Sequence, residues 1–265
     1  MRLPSLFGMV HVSPLPGAPR FRSDTGMDAV LARALKDASR LAEAGFPALM
    51  IENYGDAPFF AVGVPPVTVA ALTRVVARVK DETGLEVGVN VLRNDAISAL
   101  GIAAATGAGW IRVNVLSGLM YTDQGPITGQ AAEVARVRKD WCPGVGILAD
   151  VFVKHATPPP GGHIAQAGAD TWERAGADAL VVSGTGTGSA PDLDLARELR
   201  MAVPEAPILV GSGATAGNLA ELAKVANGAI VGSSLKVGGR PEGEIDLDSA
   251  RGFVAAAREV GWLQP

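Results

Sequence analysis

Several short apolar runs end not in turn formers but in side chains that move protons or hold hydroxyls. His11 closes LFGMVH, Glu52 closes PALMIE and precedes Asn53, Asn90 closes EVGVN, and Asp150 closes VGILAD, while WIRVN carries Arg112 and Asn114 at alternate positions. Side chains alternate across a strand, so Arg112 and Asn114 share a face, and with Asn114 at a pocket mouth Arg112 lies one layer below it. An arginine there must be paired, because an isolated buried charge is very costly. Asp150 and Glu52 are the candidate partners. Two carboxylates and an imidazole on different strands can approach one ligand from different sides. That set suits glycosyl transfer of a glycosidase or nucleosidase kind, or sugar-phosphate isomerisation or cleavage. In such reactions one carboxylate stabilises an oxocarbenium-like state or shuttles a proton while another group serves the leaving atom. Read this way, Asp150 is the general base or charge stabiliser, Glu52 or His11 supplies the proton, and Asn90 and Asn114 hold hydroxyls. A second arrangement stays open, in which Arg112 neutralises Asp150 permanently as a structural pair. Lys154 and His155 follow Asp150 closely and join the substrate contacts; a desolvated Lys154 offers a Schiff base as an alternative to charge balance near a phosphate.

Three glycine-rich stretches follow later runs: VVSGTGTGS from Val181, VGSGATAGN from Val210 and VGSSLKVGG from Val231. Ser183 in the first is a candidate substrate contact. Glycine lets backbone amides approach a phosphate closely, so Gly211, Ser212 and Gly213 with Gly232, Ser233 and Ser234 are the candidate phosphate cradle. Thr215 and the serine hydroxyls are further donors. GTGTGS lacks the lysine and spacing of a nucleotide P-loop. The three histidines, His11, His155 and His163, show no metal-ligand spacing. No G-x-S-x-G elbow occurs. The single cysteine, Cys142, follows Trp141 at a helix end away from these groups and excludes an intrachain disulfide framework. No metal and no cofactor are expected.

The elements that must position these residues follow from periodicity. Eight β-branched runs begin near Leu6, Pro47, Glu86, Trp110, Val145, Asp178, Pro207 and Gly228, about 32 residues apart on average, the length of a βα unit. Between them lie Ala/Leu-rich stretches such as 28–44, where Val30, Ala34, Leu41 and Ala44 share a face and Arg33, Lys36 and Arg40 point out. The last helix is expected over 248–260, capped by Asp248 and stopped by Gly261. Eight such units without a composition break predict one (β/α)₈ barrel over residues 1–265, with a doubly wound open sheet as the alternative. Long rim segments, at 12–26, 54–66, 117–128 and 156–162, read as covers. Phe59, Phe60, Met120 and Tyr121 offer apolar surface there to a ligand or a second copy, and a homo-oligomer is expected.

Composition narrows the classes. Of 265 residues 48% are hydrophobic and 19% charged, which excludes intrinsic disorder. With 23 Lys and Arg against 27 Asp and Glu, the net charge of −4 leaves no basic stripe for nucleic acid. Pro4 interrupts the start, the apolar run 6–10 is too short for a signal-peptide core, and other apolar runs are strand-sized. A reducing cytoplasm is the expected compartment, and peripheral membrane contact through loops stays open.

The chain resembles the BtpA/SgcQ family along nearly its whole length. The matching segments are GMVHVSPLPGAP, ALMIENYGDAPF, VNVLRND, IRVNVLSG, ADVFVKHA, VVSGTGTG, VGSGAT and VGSSLKVGG, in that order. The resemblance implies a (β/α)₈ barrel. One branch of the family is associated with photosystem I biogenesis at the thylakoid surface. Other members resemble sugar-operon proteins, some with a nucleosidase label. Two functions of different class follow as expectations: an enzyme acting on a phosphorylated sugar or nucleoside-like molecule, and a non-catalytic assembly factor.

Overall fold

The computed structural model describes residues 2–184 and 192–264. Eight parallel strands, β1 (Leu6–His11), β2 (Ala48–Glu52), β3 (Glu86–Asn90), β4 (Trp110–Val113), β7 (Gly146–Asp150), β9 (Ala179–Val182), β10 (Ile208–Val210) and β11 (Gly228–Val231), close into a barrel. They run in chain order around it, and β11 returns to pair with β1. Every expected strand start lies within a residue of an observed one, and the open-sheet alternative falls. Helices α1 (Gly26–Ala44), α2 (Pro66–Thr83), α3 (Ala96–Thr106), α4 (Ala131–Trp141), α5 (Ile164–Ala169), α6 (Leu193–Ala202), α7 (Leu219–Leu222) and α8 (Leu247–Glu259) follow the barrel strands.

The barrel closes because its interior alternates large and small residues at one height. Register places Met9 beside Met50, Met50 beside Gly88, Gly88 beside Trp110 and Trp110 beside Gly146. A Cβ on Gly88 would stand 2.5 Å from Met50 Cε, and one on Gly146 would stand 2.2 Å from Trp110 Cζ3. The glycines are the space that the methionine and the indole fill, and overpacking such a layer costs about 1–3 kcal/mol. Val, Leu and Ile on the outward strand faces pack against the helices.

Helix α1 shows how the outer layer is tied to the mouth. Leu31, Ala34, Ala38 and Leu41 are buried at three- and four-residue spacing, and Gly45, at φ +96°, ends the helix in the left-handed conformation. Lys36 is exposed, but Arg33 and Arg40, expected to face solvent, are half-buried. They donate to the carbonyls of Gly243 and Ile245, and fully buried Asp37 accepts from Arg33 Nε and from the Ile245 amide. The segment before α8 is therefore fixed from below.

Two further expectations change. Asp246, not Asp248, holds the N-cap position of α8, with its carboxylate accepting from Ser249 Oγ at 2.6 Å; Asp248 sits in the first turn. The rim segments at 117–128 and 156–162 are more ordered than covers: β5 (Leu119–Thr122), β6 (Gly125–Thr128) and β8 (Ala156–Thr157) form a small antiparallel sheet. Met120, expected as exposed apolar surface, is buried with Val115, Ile127 and Val153, because the hairpin needs a core of its own. Tyr121 and Phe60 remain exposed.

Candidate active site

Register brings the polar strand ends to one level. His11 pairs with Glu52, Glu52 with Asn90 and Asn90 with Arg112 in consecutive barrel strands, so all four sit one layer above the Met9–Met50–Trp110 plug. All are buried, as are Asn114 and Asp150.

Asp150 is the most heavily bonded member. Arg112 donates from Nε to Oδ2 at 2.9 Å and from Nη2 to Oδ1 at 2.8 Å, a planar two-point pair with both side chains at 0% exposure. Asn114 Nδ2 donates to Oδ2 at 2.9 Å, and Ser183 Oγ to Oδ1 at 3.3 Å. Burial alone would lower the Arg112 guanidinium, but the charge and hydrogen bonds of Asp150 hold it above its ordinary value. This geometry favours the second of the two readings of Asp150: its lone pairs are occupied by partners that fix the floor. Gly211 is required beside it, since a Cβ there would meet Arg112 Nη2 at 2.8 Å and Ser183 Oγ at 2.7 Å. Three atoms of this floor, Asn90 Oδ1, Asn114 Oδ1 and Arg112 Nη1, are buried with no hydrogen-bond partner among the described residues. Two acceptors and a donor of that kind are groups a bound molecule can satisfy.

On the other side His11 forms a titratable cluster. Its Nδ1 lies 3.0 Å from Lys236 Nζ and 2.9 Å from the Pro241 carbonyl, while Nε2 lies 3.8 Å from Glu52 Oε1. Its ring stacks on Tyr54 at 4.5 Å. Burial and the neighbouring Lys236 ammonium hold the imidazole well below 6.5, so His11 is neutral at pH 7. Burial likewise brings Lys236 down from 10.5 to about 8. Lys236, which also donates to the Pro241 carbonyl at 2.7 Å, was not among the expected site residues although it lies inside VGSSLKVGG. Its only sequence signal was a lone cation between apolar neighbours after the eighth strand.

Of the cavities that open at this C-terminal end of the barrel, two share Lys154. The smaller, about 220 Å³, is lined by His11, by Gly211–Thr215 after β10 and by Gly232, Ser233 and Ser234 after β11. The expected phosphate residues are thus brought together. The amides of Gly213 and Ala214 donate to no other described residue. One hydroxyl expected as a ligand donor has a scaffold partner instead: Ser234 Oγ donates to the Ala214 carbonyl at 2.7 Å, joining the two turns, while Thr215 is tied into its turn by its backbone amide, which donates to Asn218 Oδ1 at 2.8 Å. The larger cavity, about 590 Å³, is lined by Glu52, Tyr54, Arg93, Asn114, Lys154 and His155, with Phe59, Asp123, Arg20 and Glu242 toward the rim. Arg93 is a second residue the sequence reading passed over; it is buried and donates from Nη2 to the Lys154 carbonyl at 2.6 Å. Burial lowers the Arg93 guanidinium, the Lys154 ammonium and the His155 imidazole. The backbone at His155 and at Phe152 has φ +55°, a left-handed conformation unusual outside glycine that turns this segment across the mouth.

Neighbouring asparagines serve as scaffold. Asn53 Oδ1 accepts the Leu92 amide at 2.7 Å, and Asn94 exchanges two bonds with the backbone of Val115. Cys142 ends α4, where burial raises its thiol, away from both cavities. Among the described residues no group of three or more His, Cys, Asp or Glu side chains forms a metal-binding cluster, and no helix is long and apolar enough to cross a membrane. Residues 185–191, which hold most of the GTGTGS stretch, lie outside the described residues.

Comparison with known proteins agrees with the barrel. The native KDPGal structure is similar with a TM-score of 0.60 at 19% identity, covering 99% of this chain and 98% of that one. Phosphoribosyl anthranilate isomerase from Thermus thermophilus gives 0.59 at 12% identity, over 98% and 100% of the two chains. These likenesses show the fold. In sequence, protein TK2179 of Thermococcus kodakarensis is 48% identical over 258 residues, 96% of this chain and 95% of that protein. The photosystem I biogenesis protein BtpA of Synechocystis is 43% identical over 254 residues, covering 96% and 88%. With the BtpA family model matching residues 2–259, the chain belongs to the BtpA family.

Proposed function

We propose that this BtpA-family barrel is an enzyme acting on a phosphorylated sugar or nucleoside-like molecule held across the two cavities. The observation that carries the reading is their joint construction: a small cavity walled by glycine turns, a larger one walled by titratable side chains, and one lysine facing both. The phosphoryl group occupies the first, where the Gly213 and Ala214 amides and Lys154 meet it. The reacting part lies in the second. Glu52 in the wall of the second cavity and neutral His11 in the adjoining wall of the first are the proton-transfer pair; Lys236 positions His11, and Asn114 takes a hydroxyl on its Oδ1. Asp150 acts by holding Arg112 and Asn114 in place.

Titration calorimetry with inorganic phosphate and ribose 5-phosphate tests the anion site. Binding is expected in the wild type, with at least tenfold weaker affinity in Gly213→Val; equal affinity in that variant refutes the site. Once turnover is measurable, Glu52→Gln is expected to lower it about 10²–10⁴-fold with the melting temperature kept. Asp150→Asn is expected to lose thermal stability first. The reverse pattern returns the general-base role to Asp150.

The Synechocystis relative carries the second reading, an assembly factor without catalysis. Relatives of comparable identity from Thermococcus kodakarensis and Methanocaldococcus jannaschii show that the similarity is not confined to the one named for photosystem I biogenesis.

A further inference from the structure

The larger cavity holds a cation pair that a single phosphoryl group leaves half used. Arg93 is 4% exposed, lines that cavity, and makes its side-chain hydrogen bond to the Lys154 carbonyl. Among the described residues no carboxylate is ion-paired with Arg93 or with the Lys154 ammonium. The other inner charges have partners: Arg112 is neutralised by Asp150, and Lys236 is bonded to His11 and Pro241. Glu52 is the buried carboxylate that lines this cavity, and its ion-pair-range contact is His11 Nε2. Asp123, Glu242 and Arg20 stand exposed at the rim, where water screens them. Inside the cavity two cations therefore face one carboxylate. A buried guanidinium without an anion is expensive to keep, and its planar fork matches a carboxylate or a phosphoryl group in two-point contact.

We propose that the ligand carries two anionic ends, a phosphoryl group in the small cavity and a second carboxylate or phosphoryl group against Arg93 and Lys154. The substrate class is a phosphorylated sugar acid or a bisphosphorylated sugar. Lys154 lies between the two sites and serves both. The inference rests on the phosphate reading for one end only.

Three open-chain probes separate the ends: glucitol 6-phosphate with one anionic group, 6-phosphogluconate with an added carboxylate, and glucitol 1,6-bisphosphate with an added phosphoryl group. Calorimetry at pH 7 and low salt is expected to give at least one two-ended probe an advantage of about tenfold or more over glucitol 6-phosphate. Whichever gains identifies the second group. The advantage is expected to shrink to within about twofold in Arg93→Gln and to survive in part in Arg93→Lys. Lys154→Met, which removes no side-chain hydrogen bond among the described residues, gives the same loss should Arg93→Gln misfold. Equal affinity for all three probes, or an advantage untouched in both Arg93→Gln and Lys154→Met, overturns the inference and leaves the phosphate site standing. If no phosphorylated probe binds, the phosphate reading falls, and gluconate decides the remainder. A gluconate-induced rise in melting temperature in wild type and Gly213→Val, absent in Arg93→Gln, keeps the second-anion wall; no rise overturns it.

Discussion

Across the barrel mouth, the half built by β2, β3, β4 and β7 presents side chains, whereas the half built by the turns after β10 and β11 presents backbone. On the first side Glu52, Asn90, Arg112 and Asp150 come from four strands, and their contacts depend on register and long-range pairing. On the second, Gly213 at φ +75° and the short turn at Gly232 shape the cavity by local conformation. The side-chain half is a structural network of buried hydrogen bonds around Asp150, so its disruption is expected to be felt in folding. On the backbone side, under the proposed function, substitutions at the Gly213 turn are expected to be felt more in ligand affinity than in folding.

The largest expected effect breaks the first half. Arg112→Leu leaves Asp150 buried and unpaired and is expected to cost about 3–5 kcal/mol in urea denaturation. The double variant Arg112→Leu/Asp150→Leu is expected to recover much of that loss. A single-variant cost below about 1 kcal/mol would mean that the pair does not hold the floor.

Lys236, in the segment after β11, is expected to make stability depend on pH. Lys236 has a folded pKa of about 8 against 10.5 for an unperturbed lysine. Between those values the unfolded chain binds a proton that the folded chain does not, so stability rises with pH across this window. Below about pH 8 both states are protonated and the full burial penalty, on the order of 3 kcal/mol, is present. Denaturation at pH 7.5, 9 and 10.5 is expected to show that rise in the wild type and a flatter profile in Lys236→Met. Parallel profiles would remove Lys236 from the linkage.

The smallest effect on folding comes from the second half. Gly213→Val forces a β-branched residue into a left-handed conformation at about 1–2 kcal/mol, less than the Arg112 loss, while phosphate affinity falls tenfold or more. A variant that instead unfolds the chain without first losing phosphate would erase the contrast between the halves.

Much of this was legible in one dimension. Strand starts, the eightfold repeat and the polar strand ends follow from alternation and period, which are local properties of a chain. His11, Glu52 and Asn90 could be placed at a common rim because each closes an apolar run. Arg93 and Lys236 could not, since a lone cation in a loop gives no pattern until the fold shows which cavity it enters. The rim hairpin was hidden for a similar reason: Met120 and Ile127 become a core only when β5 pairs with β6.

The sequence by itself therefore determined the barrel, the end of it that carries polar groups, and the glycine turns after β10 and β11, because these depend on neighbours in the chain. Only the tertiary structure decided what each polar group does. Asp150 is engaged by Arg112 from 38 positions away, His11 meets Lys236 from 225 positions away, and Arg93 reaches the Lys154 carbonyl from 61 positions away. Charge pairing acts through space at a few ångströms, and the chain's order does not encode that distance until the barrel closes.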